Sequence, residues 1–124
     1  ARRIWALQYS PDGKRLAAAG EDRSVYLLDA ATGETSAVLS ERPGIVLTLC
    51  FCGPDKLATA GSSNVIHLWD LSTHNELYRL VGHTGSITTL GFETGSKTLI
   101  SGGYDTTVRL WNLTNRDVEH VTRR

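Results

Sequence analysis

Three side chains in the last third of the chain have the types that a serine hydrolase uses: His83, Ser101 and Asp105. A histidine base, a hydroxyl nucleophile and an orienting carboxylate cleave acyl bonds when the hydroxyl is exposed beside donors that bind the oxyanion. The alternative is structural, since the same groups can satisfy one another's hydrogen bonds inside a fold. The structural interpretation is favoured, because an internal repeat places all three groups between the strands of one repeat unit.

Other reactive residues lack the spacing that chemistry requires. The remaining histidines, His67, His74 and His120, show no metal-ligand spacing among themselves or with the cysteines. The segment Gly91–Thr98 approaches a phosphate-binding loop, but Ser96 stands where that motif needs glycine and no helix is predicted after it. We therefore expect a hairpin turn there, and no catalytic, cofactor-binding or metal-binding residues in the chain.

The two cysteines, Cys50 and Cys52, are too few for a disulfide scaffold. If both lie on one strand, they point to the same face with Cα atoms about 7 Å apart, at the limit for a disulfide. Two free, buried thiols are the expected state. Such thiols are typical of a reducing compartment, which favours the cytoplasm.

The overall composition excludes several classes of protein. The 124 residues include 13 Lys plus Arg and 13 Asp plus Glu, so the formal net charge is zero. This balance argues against a nucleic-acid binder that depends on many phosphate contacts. No apolar run approaches the ~18 residues that span a bilayer, so a membrane partner is not expected either. The length fits one domain, residues 1–124, and the lack of methionine predicts a processed product or a piece of a longer protein.

A repeat of about 41 residues runs through the whole chain. Three columns recur at steps of 41 and 42 residues: one of glycine, one mainly of tryptophan and one of other aromatic residues. They are Gly20, Gly61 and Gly103; Leu28, Trp69 and Trp111; and Tyr9, Phe51 and Phe92. The repeats cover approximately residues 1–42, 43–83 and 84–124.

Each repeat predicts four short strands, because β-branched and aromatic residues alternate with turn residues. The first strands are expected at Ile4–Ser10, Val46–Cys52 and Ile87–Phe92, the second at Arg15–Ala19, Lys56–Ala60 and Thr98–Ser101, the third at Val25–Leu28, Ile66–Trp69 and Val108–Trp111, and the fourth near Thr35–Leu39, Glu76–Val81 and Asp117–Val121. Since the strands are apolar on both faces, they need cover on both faces. The prediction is an all-β chain of three propeller blades, each with four antiparallel strands.

These columns resemble the WD-repeat β-propeller family, whose unit of about 40–45 residues carries Gly-His and Trp-Asp pairs. The Trp-Asp position reads Leu28-Asp29, Trp69-Asp70 and Trp111-Asn112, and Gly82-His83 supplies one Gly-His pair. The resemblance covers essentially the whole chain. It implies a buried hydrogen-bond network within each blade.

The third repeat matches that network fully, with His83, Ser101, Asp105 and Trp111 in its four positions. The other two repeats depart from it. In the second repeat Thr59 and Trp69 match while Arg42 and Ser63 replace the His and Asp, and in the first repeat Asp22 matches while Ala18 and Leu28 replace the Ser and Trp. We expect these two blades to depend more on apolar packing.

The resemblance also implies a partner-binding rim, where the loops between fourth and first strands meet the turns between second and third strands. The candidate rim residues are Arg3, Glu21, Ile45, Ser62, Ser86 and Tyr104. Tyr104 stands out because exposed tyrosines are frequent anchors of protein interfaces. The alternative for Tyr104 is an ordinary turn residue packed on a neighbour.

The expected function is a non-catalytic scaffold that binds other proteins or peptides. A second hypothesis is a regulatory or sensor segment of a larger signalling enzyme. Three blades cannot close a ring of ~4–8 blades, so we expect two copies to form a six-bladed homodimer. In that dimer the final predicted strand, Asp117–Val121, would pair with the blade of a second copy that begins at Ile4.

Overall fold

The computed structural model describes residues 4–39, 44–113 and 119–123. These described residues form twelve β-strands and no helix. The strands are β1 (Ile4–Tyr9), β2 (Arg15–Gly20), β3 (Val25–Asp29), β4 (Thr35–Leu39), β5 (Val46–Phe51), β6 (Lys56–Gly61), β7 (Val65–Asp70), β8 (Asn75–Val81), β9 (Ile87–Glu93), β10 (Thr98–Gly103), β11 (Thr107–Asn112) and β12 (Glu119–Arg123).

The strands form three separate four-stranded sheets, each antiparallel and in chain order. We call them blade 1 (β1–β4), blade 2 (β5–β8) and blade 3 (β9–β12). The predicted all-β class and four-stranded blades are confirmed, with most strand ends shifted by one or two residues. The last strand runs from Glu119 to Arg123 rather than Asp117–Val121, and residues 117 and 118 lie outside the described residues.

The first strands of the three blades lie side by side. Strand β5 contacts β1 on one side and β9 on the other. Strands β4 and β5 belong to different sheets, as do β8 and β9, so successive blades meet through their faces. The pairing that we expected between a fourth strand and the first strand of a second copy therefore has no counterpart among the twelve described strands of one chain.

Two apolar cores join the blades. The core between blades 1 and 2 packs the small, fully buried Ala17 and Ala19 of β2 with the large Phe51 and Trp69 of blade 2. The core between blades 2 and 3 repeats this arrangement, with Ala58 and Ala60 packing with Trp111. Small residues on one face and large ones on the facing blade allow close packing at both junctions.

Glycine in the second-strand column is required by a close backbone approach. A Cβ atom on Gly61 would lie 2.0 Å from the carbonyl oxygen of Ile45, and one on Gly103 would lie 2.3 Å from that of Ser86. The turn after each glycine therefore rests against the loop that enters the first strand of the same blade. We call this edge the upper rim. The β1–β2 and β3–β4 turns lie at the opposite ends of the strands, on the lower rim.

Candidate functional site

The structure brings together the four side chains singled out in the third repeat. His83 lies before β9, Ser101 on β10 and Trp111 on β11. The imidazole Nε2 of His83 is 2.7 Å from Ser101 Oγ, and its Nδ1 is 2.8 Å from Asp105 Oδ2. The indole N–H of Trp111 donates to the same Ser101 hydroxyl at 2.9 Å. One continuous hydrogen-bonded chain thus runs from the Asp105 turn to the centre of blade 3.

Asp105 is the most densely bonded member of this network. Its Oδ2 accepts a hydrogen bond from the backbone N–H of Thr84 at 2.9 Å. Its Oδ1 accepts from the backbone N–H and the hydroxyl of Thr107, at 3.1 and 2.8 Å. Burial alone would raise the pKa of Asp105, but the donors on Thr84, Thr107 and His83 outweigh it and hold that pKa well below its ordinary value. The carboxylate is therefore charged throughout the neutral range.

The geometry supports structural bonding rather than hydrolysis. Ser101 is 1% exposed and His83 is 6% exposed, so a substrate carbonyl has no path to the hydroxyl. The hydroxyl is also engaged by both His83 and Trp111. A nucleophile needs access as well as a base. We conclude that the four groups satisfy one another inside the fold.

Blade 2 has a different polar pair, which the sequence did not predict. Trp69 still donates to Thr59 Oγ1, at 3.1 Å, while Arg42 lies outside the described residues and Ser63 is half-buried. The buried His67 on β7 instead bonds through Nδ1 to Glu76 on β8. Arg79 donates to the other oxygen of Glu76 at 3.0 Å. This pair crosses β7 and β8 rather than the turn that Asp105 occupies in blade 3.

In blade 1, Asp22 bonds to residues close to it in the sequence. Asp22 accepts hydrogen bonds from the backbone N–H of Ser24, at 3.1 Å, and from the hydroxyl of Tyr26. Ala18 and Leu28 stand in place of the hydroxyl and indole groups. The hydroxyl–indole bond of blades 2 and 3 thus has no counterpart between positions 18 and 28 of blade 1.

Both cysteines are free and buried, as expected. Their thiols donate weakly to backbone carbonyls, Cys50 to Phe51 and Cys52 to Cys50, each at 3.6 Å. The Cys50 thiol and burial together raise the pKa of Cys52 far above its ordinary value. A thiol held in its neutral form is a poor nucleophile.

The candidate rim residues differ in what their side chains are free to do. Ser62 is held to the loop, because its hydroxyl accepts from the N–H of Ile45 at 2.8 Å while its own N–H donates to the Ile45 carbonyl at 3.0 Å. Tyr104 makes the same backbone bond, to the carbonyl of Ser86 at 2.9 Å, but its side chain is 76% exposed. Glu21 is half-buried, and Arg3 lies outside the described residues.

Two further features are absent from the described residues. Within residues 4–39, 44–113 and 119–123, no group of three or more His, Cys, Asp or Glu side chains could hold a metal ion. In the same part of the chain there is no helix with the length and apolar character needed to cross a membrane.

Comparison with known proteins identifies the repeat. The family model for the WD domain, G-beta repeat, matches residues 1–29 and 74–112, together more than half of the chain. DDB1- and CUL4-associated factor 10 of Xenopus tropicalis is 33% identical over 118 residues, which cover 94% of this chain and 26% of that protein. The human protein of the same name is also 33% identical, with 21% of its length covered. The chain thus spans about a quarter of the length of these relatives.

A further relative and a solved structure agree with this assignment. The U5 small nuclear ribonucleoprotein 40 kDa protein of Dictyostelium discoideum is 27% identical over 116 residues, covering 92% of this chain and 32% of that protein. The crystal structure of the RRP9 WD40 repeats matches with a TM-score of 0.92 and 23% identity, covering 98% of this chain and 38% of that one. The chain belongs to the WD-repeat family and forms three blades of its β-propeller fold.

Proposed function

We propose that the chain is a non-catalytic interaction module whose upper rim binds another protein, with Tyr104 as the central anchor. The observation that carries the proposal is the exposure of this tyrosine, 76%, on a turn that the fold holds in place. Tyrosine suits such a role because it buries a large apolar ring while its hydroxyl keeps a polar partner.

The turn that carries Tyr104 has the same backbone geometry in all three blades. Its last residue has a positive φ in every copy, 64° at Arg23, 68° at Asn64 and 65° at Thr106. In each copy that residue also donates its N–H to the carbonyl of the column glycine, in blade 3 at 3.2 Å. Blade 3 adds the bonds of Asp105 to the next turn residues. An aromatic side chain on a fixed turn loses little conformational entropy on binding.

The relatives suggest what kind of partner to test. One group is named as a factor associated with DDB1 and CUL4, one relative is named as similar to a U3 snoRNP-associated protein, and another as a U5 small nuclear ribonucleoprotein 40 kDa protein. The zero net charge of this chain favours a protein component of such an assembly over RNA itself. We therefore propose a protein partner, with DDB1 as the first to be measured. The hypothesis of a segment from a signalling enzyme gains no support from these names.

The test is binding of purified DDB1 to the immobilised chain, measured by biolayer interferometry. Tyr104→Ala should weaken binding about ten-fold or more and leave the melting temperature unchanged, and Tyr104→Phe should retain part of the affinity. Lys14→Ala, on the lower rim, is the matched control and should bind as the wild type does. Wild-type affinity in Tyr104→Ala would contradict the rim assignment, and no binding by any variant would reject DDB1.

The three blades together are called the arc, and its outer faces are the faces of blade 1 and blade 3 that point away from blade 2. We also propose that a second copy of the chain covers these two outer faces. We call Leu7, Tyr9 and Val38 the outer face of blade 1; they are 65%, 61% and 47% exposed. Their register counterparts in blade 2 include Leu49 and Phe51, which are buried against blade 1. An apolar face of this kind is unfavourable in water and favours association.

The two outer faces are complementary in size. On the outer face of blade 3, Ile100 is 37% exposed and takes the register position that the fully buried Ala17 and Ala58 take in the other blades. On the outer face of blade 1, Leu28 takes the position of a tryptophan. A larger residue on one face opposite a smaller one on the other supports direct contact between two copies, closing six blades on a two-fold axis.

We also propose that the protein works in the cytoplasm. The two free thiols support this proposal, because free cysteines are typical of a reducing compartment.

A further inference from the structure

A cleft of about 590 Å³ opens on the lower rim between blades 2 and 3. The turn between β5 and β6 forms one wall, and the turn between β9 and β10 forms the other. Its lining includes Cys52, Pro54, Lys56, Phe92, Lys97 and Leu113. The cleft therefore lies at the opposite end of the strands from Tyr104 and is independent of the upper-rim site.

The floor of the cleft is apolar and incompletely covered. Phe92 and Leu113 are partly buried against the core of blades 2 and 3. Their counterparts one repeat earlier, Phe51 and Leu71, are only 5% and 3% exposed. The same side-chain types at the same positions are thus fully covered at one junction and accessible at the next. Apolar surface of this kind at the base of a cleft is what a bulky side chain of a partner can bury.

The two junctions also differ in a contact on the lower rim. At the junction of blades 1 and 2, Arg15 reaches across and donates from Nη2 to the carbonyl oxygen of Pro54 at 3.1 Å. At the next junction the residue in register with Arg15 is Lys56. The Lys56 ammonium instead lies 3.6 Å from Asp55 of its own turn. Lys56 is thus paired within its own blade, whereas Arg15 bonds across the junction of blades 1 and 2.

The wall on the blade 3 side is fixed by its own hydrogen bonds. The Glu93 carboxylate accepts from the backbone N–H groups of Gly95 and Ser96, at 3.1 and 2.8 Å. Lys97 adopts a φ of 54°, and its carbonyl accepts from the N–H of Leu113 at 3.0 Å. A wall held in this way is largely formed before a ligand arrives, which lowers the entropic cost of binding.

The charges at the mouth of the cleft favour an acidic ligand. Two lysines, Lys56 and Lys97, line the cleft with one carboxylate, Asp55. Asp55 is paired with Lys56, so the residues that line the cleft carry one net positive charge, which Lys97 supplies. Positive side chains around an apolar floor are complementary to a carboxylate next to a bulky apolar group.

We propose that this cleft binds a short acidic peptide segment of a partner protein, which inserts one bulky apolar side chain over Phe92 and Leu113 and places a carboxylate near Lys97. The site would let the module hold two partners at once, one on each rim. It is separate from the proposed upper-rim function, and each can fail without the other.

The probe is a fluorescein-labelled hexapeptide, Gly-Asp-Leu-Trp-Asp-Gly, titrated with the full 124-residue chain and followed by fluorescence anisotropy. Lys97→Glu should weaken binding about ten-fold, because it places like charges together. The matched control is Lys14→Glu, since Lys14 holds the same turn position in blade 1 and should leave binding unchanged. The basic peptide Gly-Lys-Leu-Trp-Lys-Gly should bind at least about ten-fold more weakly than the acidic one.

Three results would overturn the proposal: no anisotropy change with the acidic peptide up to millimolar chain, equal affinity for the acidic and basic peptides, or equal losses in Lys97→Glu and Lys14→Glu. Tyr104→Ala separates the two sites, because it should leave peptide affinity unchanged while it weakens a partner on the upper rim. A second variant, Leu113→Ser, reports on the floor and should weaken the peptide with little change in melting temperature, since Leu113 is only partly buried.

Discussion

The imidazole of His83 and the hydroxyl of Ser101 lie 2.7 Å apart, although the two residues belong to different structural segments. His83 stands in the loop that leaves blade 2, whereas Ser101 is in the second strand of blade 3. Their bond therefore links the loop between blades 2 and 3 to the interior of blade 3. The apolar cores hold the faces of neighbouring blades together, whereas this bond holds the loop between β8 and β9 against β10.

Removing a member of this hydrogen-bond network should destabilise the fold. We expect His83→Ala or Asp105→Ala to lower the free energy of unfolding by about 1–3 kcal/mol, because each leaves buried polar partners without a hydrogen bond. Ser63→Ala, at the position of Asp105 in blade 2, should have a clearly smaller effect. Chemical denaturation followed by tryptophan fluorescence measures all three. Equal shifts for Asp105→Ala and Ser63→Ala would show that the network does not stabilise blade 3.

The network should also make stability depend on pH in acid. The folded-state pKa of Asp105 lies below its ordinary value, so its contribution is fully present above about pH 4 and is lost as pH falls through the folded pKa. The difference in unfolding free energy between the wild type and Asp105→Asn should therefore be constant near neutrality and shrink below about pH 4. A difference that stays constant down to pH 3 would argue against a depressed pKa.

Blade 2 offers a test of the unpredicted pair. Glu76→Ala should destabilise the chain by about 1–3 kcal/mol, because it removes the carboxylate bonded to the buried His67. Glu34→Ala is the control, since Glu34 is an exposed glutamate just before β4, the strand of blade 1 that corresponds to β8. Thermal unfolding followed by circular dichroism compares the two variants. Similar melting temperatures would mean that the pair makes no net contribution.

The proposed homodimer can be tested by sedimentation velocity at micromolar chain concentrations. The wild type should sediment as a dimer, and Leu7→Glu or Ile100→Glu should shift it to a monomer, because each places a charge on an outer face. Val81→Glu is the control; Val81 is 70% exposed, but on the outermost strand of blade 2. A folded wild-type monomer would contradict closure by a second copy. The outer faces would then need other blades, not from a copy of this chain, to cover them.

Much of the fold followed from spacing alone. The columns headed by Gly20, Leu28 and Tyr9 recur at 41 and 42 residues, which sets both the number of blades and the approximate strand positions. The Ser101–Trp111 bond was implied by the resemblance to the WD-repeat family, and the pairing of β10 with β11 places both residues on the same face. Periodicity predicts what every repeat shares.

What differs between repeats was harder to predict. The pairing of His67 with Glu76 depends on a register shift between Leu68 and Trp69, which simple alternation does not reveal. The lower-rim cleft depends on the different exposure of Phe51 and Phe92, two identical side chains in identical columns. The exposure of each phenylalanine depends on the facing blade, so the difference appears only when the blades are packed.

The hydroxyl–indole bond, present in blades 2 and 3, should give the three blades unequal resistance to local opening. Blade 3 holds Ser101 and Trp111 in a continuous buried network, blade 2 holds the Thr59–Trp69 and His67–Glu76 bonds, and blade 1 has Ala18 and Leu28 in place of the hydroxyl and the indole. Transient opening events start where the fewest buried bonds must break. Amide protons should therefore exchange fastest in β1 and slowest in β10 and β11, so the arc would fray from its beginning while its later strands still hold their shape.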